Sequence, residues 1–252
     1  MGHILFDTSE IVLFPILIFL FATANILGAF VGRKDRNISE TTPAALLGLL
    51  ALLLGFSFSM VIARFDLRRD LVLKESNAIG TAFLRAGAIQ DPASSTIKKT
   101  LREYVDARLE FYAAGADLPR IYKALDRATA LQKRFWSTAE AEAKKGPTAI
   151  SGLMLSSLNE VIDLDAARVD ALRNHLPEAL FYLLIAISTC ALFTLGTIEG
   201  WKGRHPLPWK LLLPILVATV LTTLVDIDRP RRGVIKASQD SMIALKKELD
   251  AN

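Results

Sequence analysis

Four stretches of the chain carry no Asp, Glu, Lys or Arg: Ile11 to Gly32, Thr41 to Ala63, Ala179 to Ile198 and Leu211 to Val225. The first three run for 22, 23 and 20 residues. An apolar helix needs about 20 residues to cross a bilayer, whereas buried helices of water-soluble domains rarely exceed about 14 such residues. A single water-soluble globular domain is therefore excluded. So is an outer-membrane barrel, whose strands alternate apolar and polar residues. The fourth stretch holds only 15 residues. To cross about 30 Å it must recruit Pro208 and Trp209 at one end or Asp226 to Asp228 at the other. The N-terminal Met-Gly-His-Ile has no basic run, and the apolar stretch after it is long for a signal peptide, so Ile11 to Val31 reads as a retained first span.

Between the second and third spans lies a charged segment. Residues 65–176 hold 17 basic and 15 acidic side chains, a near balance expected of a solvated domain and not of a polybasic arm. The segment reads as helix throughout. The second span continues past Arg64 with Phe65, Leu73, Ile79 and Phe83 at roughly helical spacing, and no proline follows until Pro92. One helix from Pro43 to about Ala88 would hold some 46 residues and measure roughly 69 Å. Asp91-Pro92 marks a break with Ser94 or Ser95 as N-cap, and a helix from about Thr96 to Ala113 follows. Gly115, Asp117 and Pro119 mark the next start, Gly146-Pro147 its end, and a further helix runs from about Thr148 towards Pro177. The expected fold is an all-α membrane protein with four transmembrane helices and a helical cytosolic domain inserted between spans two and three. Its parts are spans one and two in residues 1–64, the helical domain in 65–176, spans three and four in 177–228 and a C-terminal tail in 229–252.

Four spans put both termini and the helical domain on one side. Near the span ends that side carries Arg64, Arg68, Arg69, Lys74, Arg168, Arg173, Arg229, Arg231, Arg232 and Lys236. The other side carries Arg33, Lys34, Arg36, Lys202, Arg204 and Lys210. The excess places the helical domain in the cytoplasm, although the flanks of the first span taken alone argue the reverse. Trp201 and Trp209 suit interfacial anchors, and Trp136 suits the core of the helical domain.

Two constellations stand out. The second span ends Gly55-Phe56-Ser57-Phe58-Ser59-Met60, and on a helix Ser57 and Ser59 point about 200° apart. Phe56, Ser57, Phe58 and Ser59 are candidates for a pore constriction, where an apolar ring gates by dewetting. The other reading is bundle packing with serines bonding between helices. Below them, Arg64, Arg68 and Glu75 share a helix face, and Arg69 lies beside it. The short fourth span brings Asp226, Asp228 and Arg229 to the membrane boundary, where a carboxylate needs a partner. A pairing of Asp226 or Asp228 with Arg64, Arg68 or Arg69 is expected, either as a structural belt or as an ion site. Asn25 and Thr222-Thr223 suit helix-packing contacts. Asn77, Gly80, Thr81 and Ala82 form a small-residue patch suited to a close neighbouring helix.

No nucleotide loop, zinc-protease motif or nucleophile elbow is present. The three histidines (His3, His175 and His205) and the lone Cys190 form no metal or catalytic group. The expectation is a non-enzyme without cofactor or metal, with lipid and inorganic ions as partners and no nucleic acid.

Three segments resemble the bestrophin-like family of bacterial membrane proteins: Leu46 through Met60, Arg68-Arg69 with Glu75 through Arg85, and Asp226-Ile227-Asp228-Arg229-Pro230-Arg231-Arg232-Gly233. The last is the most specific, and the likeness covers about Pro43 to Asn252. The resemblance implies a homo-oligomeric ion channel, a pentamer in true bestrophins, that conducts anions through a pore lined by the second membrane helix and its cytosolic extension. By position, Phe56 or Phe58 would form the neck. The acidic run that binds calcium in animal bestrophins has no counterpart here, so calcium gating is not expected. The other functions weighed are a cation-selective channel and a non-conducting scaffold or sensor whose helical domain binds a partner. An alternating-access transporter is disfavoured because the two halves of the chain do not resemble each other.

Overall fold

A computed structural model describes residues 10–34, 39–203, 207–230 and 233–251. Several residues singled out above, namely His3, Arg36, Arg204, His205, Arg231 and Arg232, lie outside the described residues, as do the side chains of Pro208 and Trp209. Every regular element among the described residues is helical: α1 (Glu10–Gly32), α2 (Thr41–Ala86), α3 (Ala93–Ala113), α4 (Leu118–Lys145), α5 (Ala149–Arg173), α6 (Glu178–Lys202), α7 (Leu207–Asp228) and α8 (Asp240–Ala251). Four candidate membrane spans have mean hydropathies of 2.0 to 2.4: Ile11–Gly32, Thr41–Ala86, Lys210–Asp228 and a stretch within Ala149–Lys202 whose uncharged part belongs to α6.

The chain forms two compact units. One comprises residues 1–64, 175–229 and 233–235, the other 65–174, 230–232 and 236–252. The first, the membrane unit, packs α1, α6, α7 and the first half of α2 around Leu17, Phe21, Val61, Leu184, Leu192 and Leu221. Its tightest seam is α1 against α6. Gly28 and Gly32 on α1 face Gly196 and Gly200 on α6, a Gly-x-x-x-Gly on each side. A Cβ at Gly28 would overlap the Phe193 carbonyl oxygen, and one at Gly196 that of Asn25. Lipid supplies no hydrophobic drive between helices, so backbones that approach this closely gain van der Waals contact instead. Buried Asn25 adds a bond from Nδ2 to the Leu192 carbonyl, 3.3 Å away. Pro15 and Pro214 lie inside α1 and α7, where membrane helices tolerate them.

The second, helical unit packs the remainder of α2 with α3, α4, α5 and α8 around Ile79, Phe83, Leu101, Phe135, Leu158 and Met242. Trp136 packs against this core. Its caps follow the local sequence. The Asp117 carboxylate accepts the Arg120 N–H at 3.1 Å, with Pro119 in the first turn of α4. Thr148 and Ser151 form a reciprocal capping box at the start of α5. The start of α3 differs from expectation. Pro92 is the N-cap residue and makes no side-chain cap, and Ser94 and Ser95 lie in the first turn. The Asp91 carboxylate reaches the Ser95 N–H instead, at 3.1 Å. A carboxylate four residues back thus takes the role expected of a serine hydroxyl.

The glycine seam makes a sharp prediction. Gly196→Leu should abolish the folded, detergent-stable protein. Gly152→Ala, in an exposed turn of α5 with nothing near the added carbon, should raise stability by about 0.5–1 kcal/mol. Thermal unfolding followed by size-exclusion recovery checks both.

Candidate functional site

Helix α2 is apolar for its first 23 residues and charged thereafter. Its two faces have different fates. On one, Gly48, Leu52, Gly55, Ser59, Ile62 and Asp66 recur every three or four residues, and every one is exposed. Arg69, Leu73, Asn77, Thr81 and Leu84 continue the row. Phe56 borders this face at 61% exposure. The opposite face is buried. Ser57 donates to the Leu53 carbonyl at 2.7 Å, and Phe58 packs against the core of the membrane unit. Of the four constriction candidates, Phe56 and Ser59 therefore stand on the exposed side and Ser57 and Phe58 on the packed side.

Further along the buried face, Glu75 has no solvent exposure. Its carboxylate meets Arg108 Nε at 2.8 Å, an Arg168 guanidinium nitrogen, and the Tyr104 hydroxyl, which donates at 3.0 Å. Arg108 also pairs with Asp165, and Asp165 accepts a 2.7 Å bond from Gln132. Arg168 continues to Gln239 Oε1 at 3.0 Å. Two carboxylates and two guanidiniums balance, with Glu75, Arg108 and Arg168 buried and Asp165 at the edge of the cluster. A buried ion survives only with such full pairing. Burial and the Glu75 carboxylate push the Tyr104 phenol well above its ordinary range. Burial alone would lower Arg108, but Glu75, Tyr104 and Asp165 outweigh it and hold the guanidinium charged. The ion pairs of Glu75 are thus made with α3 and α5, not with the arginines expected at the membrane edge. Arg68, buried on the same face, donates from Nε to the Ala171 carbonyl at 3.1 Å and from Nη2 to the Asn174 carbonyl at 2.9 Å. Arg64 is half-buried and Arg69 exposed.

At the end of α7, Asp226, Asp228 and Arg229 are buried. Asp226 accepts the Val234 N–H at 2.8 Å and the Ile235 N–H at 3.1 Å. Backbone donors from the following turn take the role expected of an arginine. Asp228 accepts the Leu176 N–H at 2.9 Å, and its carbonyl oxygen lies 3.1 Å from His175 Nδ1.

The Bestrophin-like domain model matches residues 11–242. The chain belongs to the Bestrophin-like domain family. A variant of a bacterial Bestrophin homologue from Klebsiella pneumoniae superposes with a TM-score of 0.71 at 14% identity, covering 96% of this chain and 97% of that one. A second variant of that homologue gives 0.66 at 17% identity, covering 97% and 98%. A further membrane-protein structure gives 0.65 at 17%, covering 92% and 97%. These likenesses establish the fold. No curated protein matches the chain.

In this bestrophin-like chain the charged cluster of Arg108, Arg168, Asp165 and Tyr104 around Glu75 escapes a reading by motif, yet it leaves a trace. Arg108 falls in register with Ile97, Leu101, Tyr104 and Phe111, and Arg168 with Met154, Leu158 and Val161, all buried. A charge in the apolar row of a helix is the signal. Glu75→Gln should leave the two guanidiniums short of a counter-charge and cost about 3–5 kcal/mol.

Tyr104→Phe removes a donor to a carboxylate and should cost about 1.5–3 kcal/mol at neutral pH. Because the folded phenol keeps its proton to higher pH than the unfolded one, the native protein loses stability as pH rises above 10. The Tyr104→Phe variant should lack that component of the alkaline fall. Unfolding of the detergent-solubilised protein between pH 7 and 11 measures both effects.

Proposed function

We propose that this bestrophin-like chain is the subunit of a homo-oligomeric ion channel whose pore follows the exposed face of α2. The observation that carries the reading is that face. It runs along a helix of 46 residues, apolar for its first half and polar beyond, and its row from Gly48 to Leu84 stays exposed. Within the membrane, Gly48, Gly55 and Ser59 leave room for a water-filled path, and Phe56 supplies the apolar side chain of a dewetting gate. In the helical unit, a groove of about 540 Å³ lined by Leu73, Asn77, Gly80, Thr81, Leu245 and Glu248 borders the same face. Copies arranged about an axis would cover it. Five subunits, anion conduction and an inner-membrane orientation with the helical unit in the cytoplasm complete the proposal. Asp66 and Arg69 present one charge of each sign on the face, so a reversal potential, not a charge count, assigns selectivity.

Purified oligomer in a planar bilayer should give unitary currents that reverse near the chloride potential in asymmetric salt. Phe56→Ala should raise conductance or open probability several-fold. Phe58→Ala should lower stability and leave selectivity alone. A folded oligomer silent in every common salt would favour the scaffold reading, and reversal at the cation potential would reassign the ion.

A further inference from the structure

The turn Gly233–Ile235 belongs to the membrane unit and is tied to the last turns of a membrane span. Both oxygens of the Asp226 carboxylate are used for this tie. Gly233 is needed for it, because a Cβ there would stand 2.5 Å from Asp226 Oδ1 and 2.6 Å from the Asp226 carbonyl oxygen. The tie fixes depth. Helix α7 has 22 residues, about 33 Å, which matches the hydrocarbon thickness and leaves Asp226 at its edge. Val234, with its N–H on that carboxylate, lies at the same level. Its side chain is 85% exposed and that of Ile235 39%. Two branched apolar side chains held outward by a built turn have no role in the core.

From this placement we infer that the Gly233–Ile235 turn is a membrane-surface anchor, which seats Val234 and Ile235 among the acyl-chain ends of the adjacent leaflet. Apolar side chains at the headgroup level gain burial. The inference needs only that the unit spans a membrane and is independent of conduction.

The test uses full-length oligomer in nanodiscs on a Cys190→Ser background, since Cys190 is exposed. A nitroxide is attached at Val234→Cys and, as a control, at exposed Lys247→Cys. The label at position 234 should favour oxygen over a water-soluble nickel chelate, at a depth just inside the headgroups, and the control should favour the chelate. Chelate access at 234 equal to the control would place the turn in water and overturn the anchor. Shielding from both probes, with dipolar broadening between labels, would assign Val234 to a contact between copies and overturn it as well.

Discussion

A carboxylate with no solvent exposure is costly, and Glu75 sits in that position on the longest helix of the chain. What makes it tolerable is that Arg108 from α3, Arg168 from α5 and Tyr104 from α3 all converge on its two oxygens. The cost of desolvating each ion is offset only while every member is present, so the helices that carry them are held in one relative arrangement. Gln239 on Arg168, the Ser76 hydroxyl on the Ser241 carbonyl and the Tyr112 hydroxyl on the Ala237 carbonyl tie the C-terminal segment into the same assembly. The helical unit is therefore organised around a polar point, with the apolar core of Ile79, Leu101, Phe135 and Leu158 packed about it.

The asymmetry of α2 follows. At 100° per residue, Ser59 lies about 160° and Asp66 about 180° around the helix from Glu75. The buried charge thus marks the azimuth opposite the exposed row. An apolar face alone would hold the helix against sliding less strictly, because volume-conserving repacking among Leu, Ile and Val costs little. A single carboxylate bonded to three side chains accepts no such rotation.

How far the sequence reveals this depends on the kind of force involved. Membrane spans announce themselves by the absence of charge, since one Lys or Asp at mid-bilayer is expensive. Hence Ile11 to Gly32 and Thr41 to Ala63 are readable residue by residue, and Gly146-Pro147 and Asp117 stop or start helices by rules local to a few positions. Contacts between distant segments are not local. Arg168 looks like one more positive charge until its register with Leu158 and Val161 is noticed. The motif Gly28-x-x-x-Gly32 is a known sign of helix packing, but only its partner Gly196-x-x-x-Gly200, some 170 residues on, shows what it packs against. Asp226 is legible as a boundary carboxylate in need of a donor. That the donors are the N–H groups of Val234 and Ile235 depends on the chain reversing at Gly233, and no periodicity encodes that.

The two families of contact also divide the physical labour. In the membrane unit, backbone-to-backbone approach at the glycine seam brings together α1 and α6, from opposite ends of the chain, with no charge involved. In the helical unit, where water competes for every polar group, the fixed points are ions withdrawn from it. Small residues suit a medium in which apolar side chains gain nothing by leaving lipid. Paired buried charges suit one in which specificity, more than affinity, must be supplied. Helix α2 runs through both regimes. In each, the same side of it is held and the same side is left uncovered. Its outward row, from Gly48 to Leu84, is continuous in helical register, while the chemistry that buries the opposite side changes past Arg64 from apolar packing around Val61 to the paired charges at Glu75.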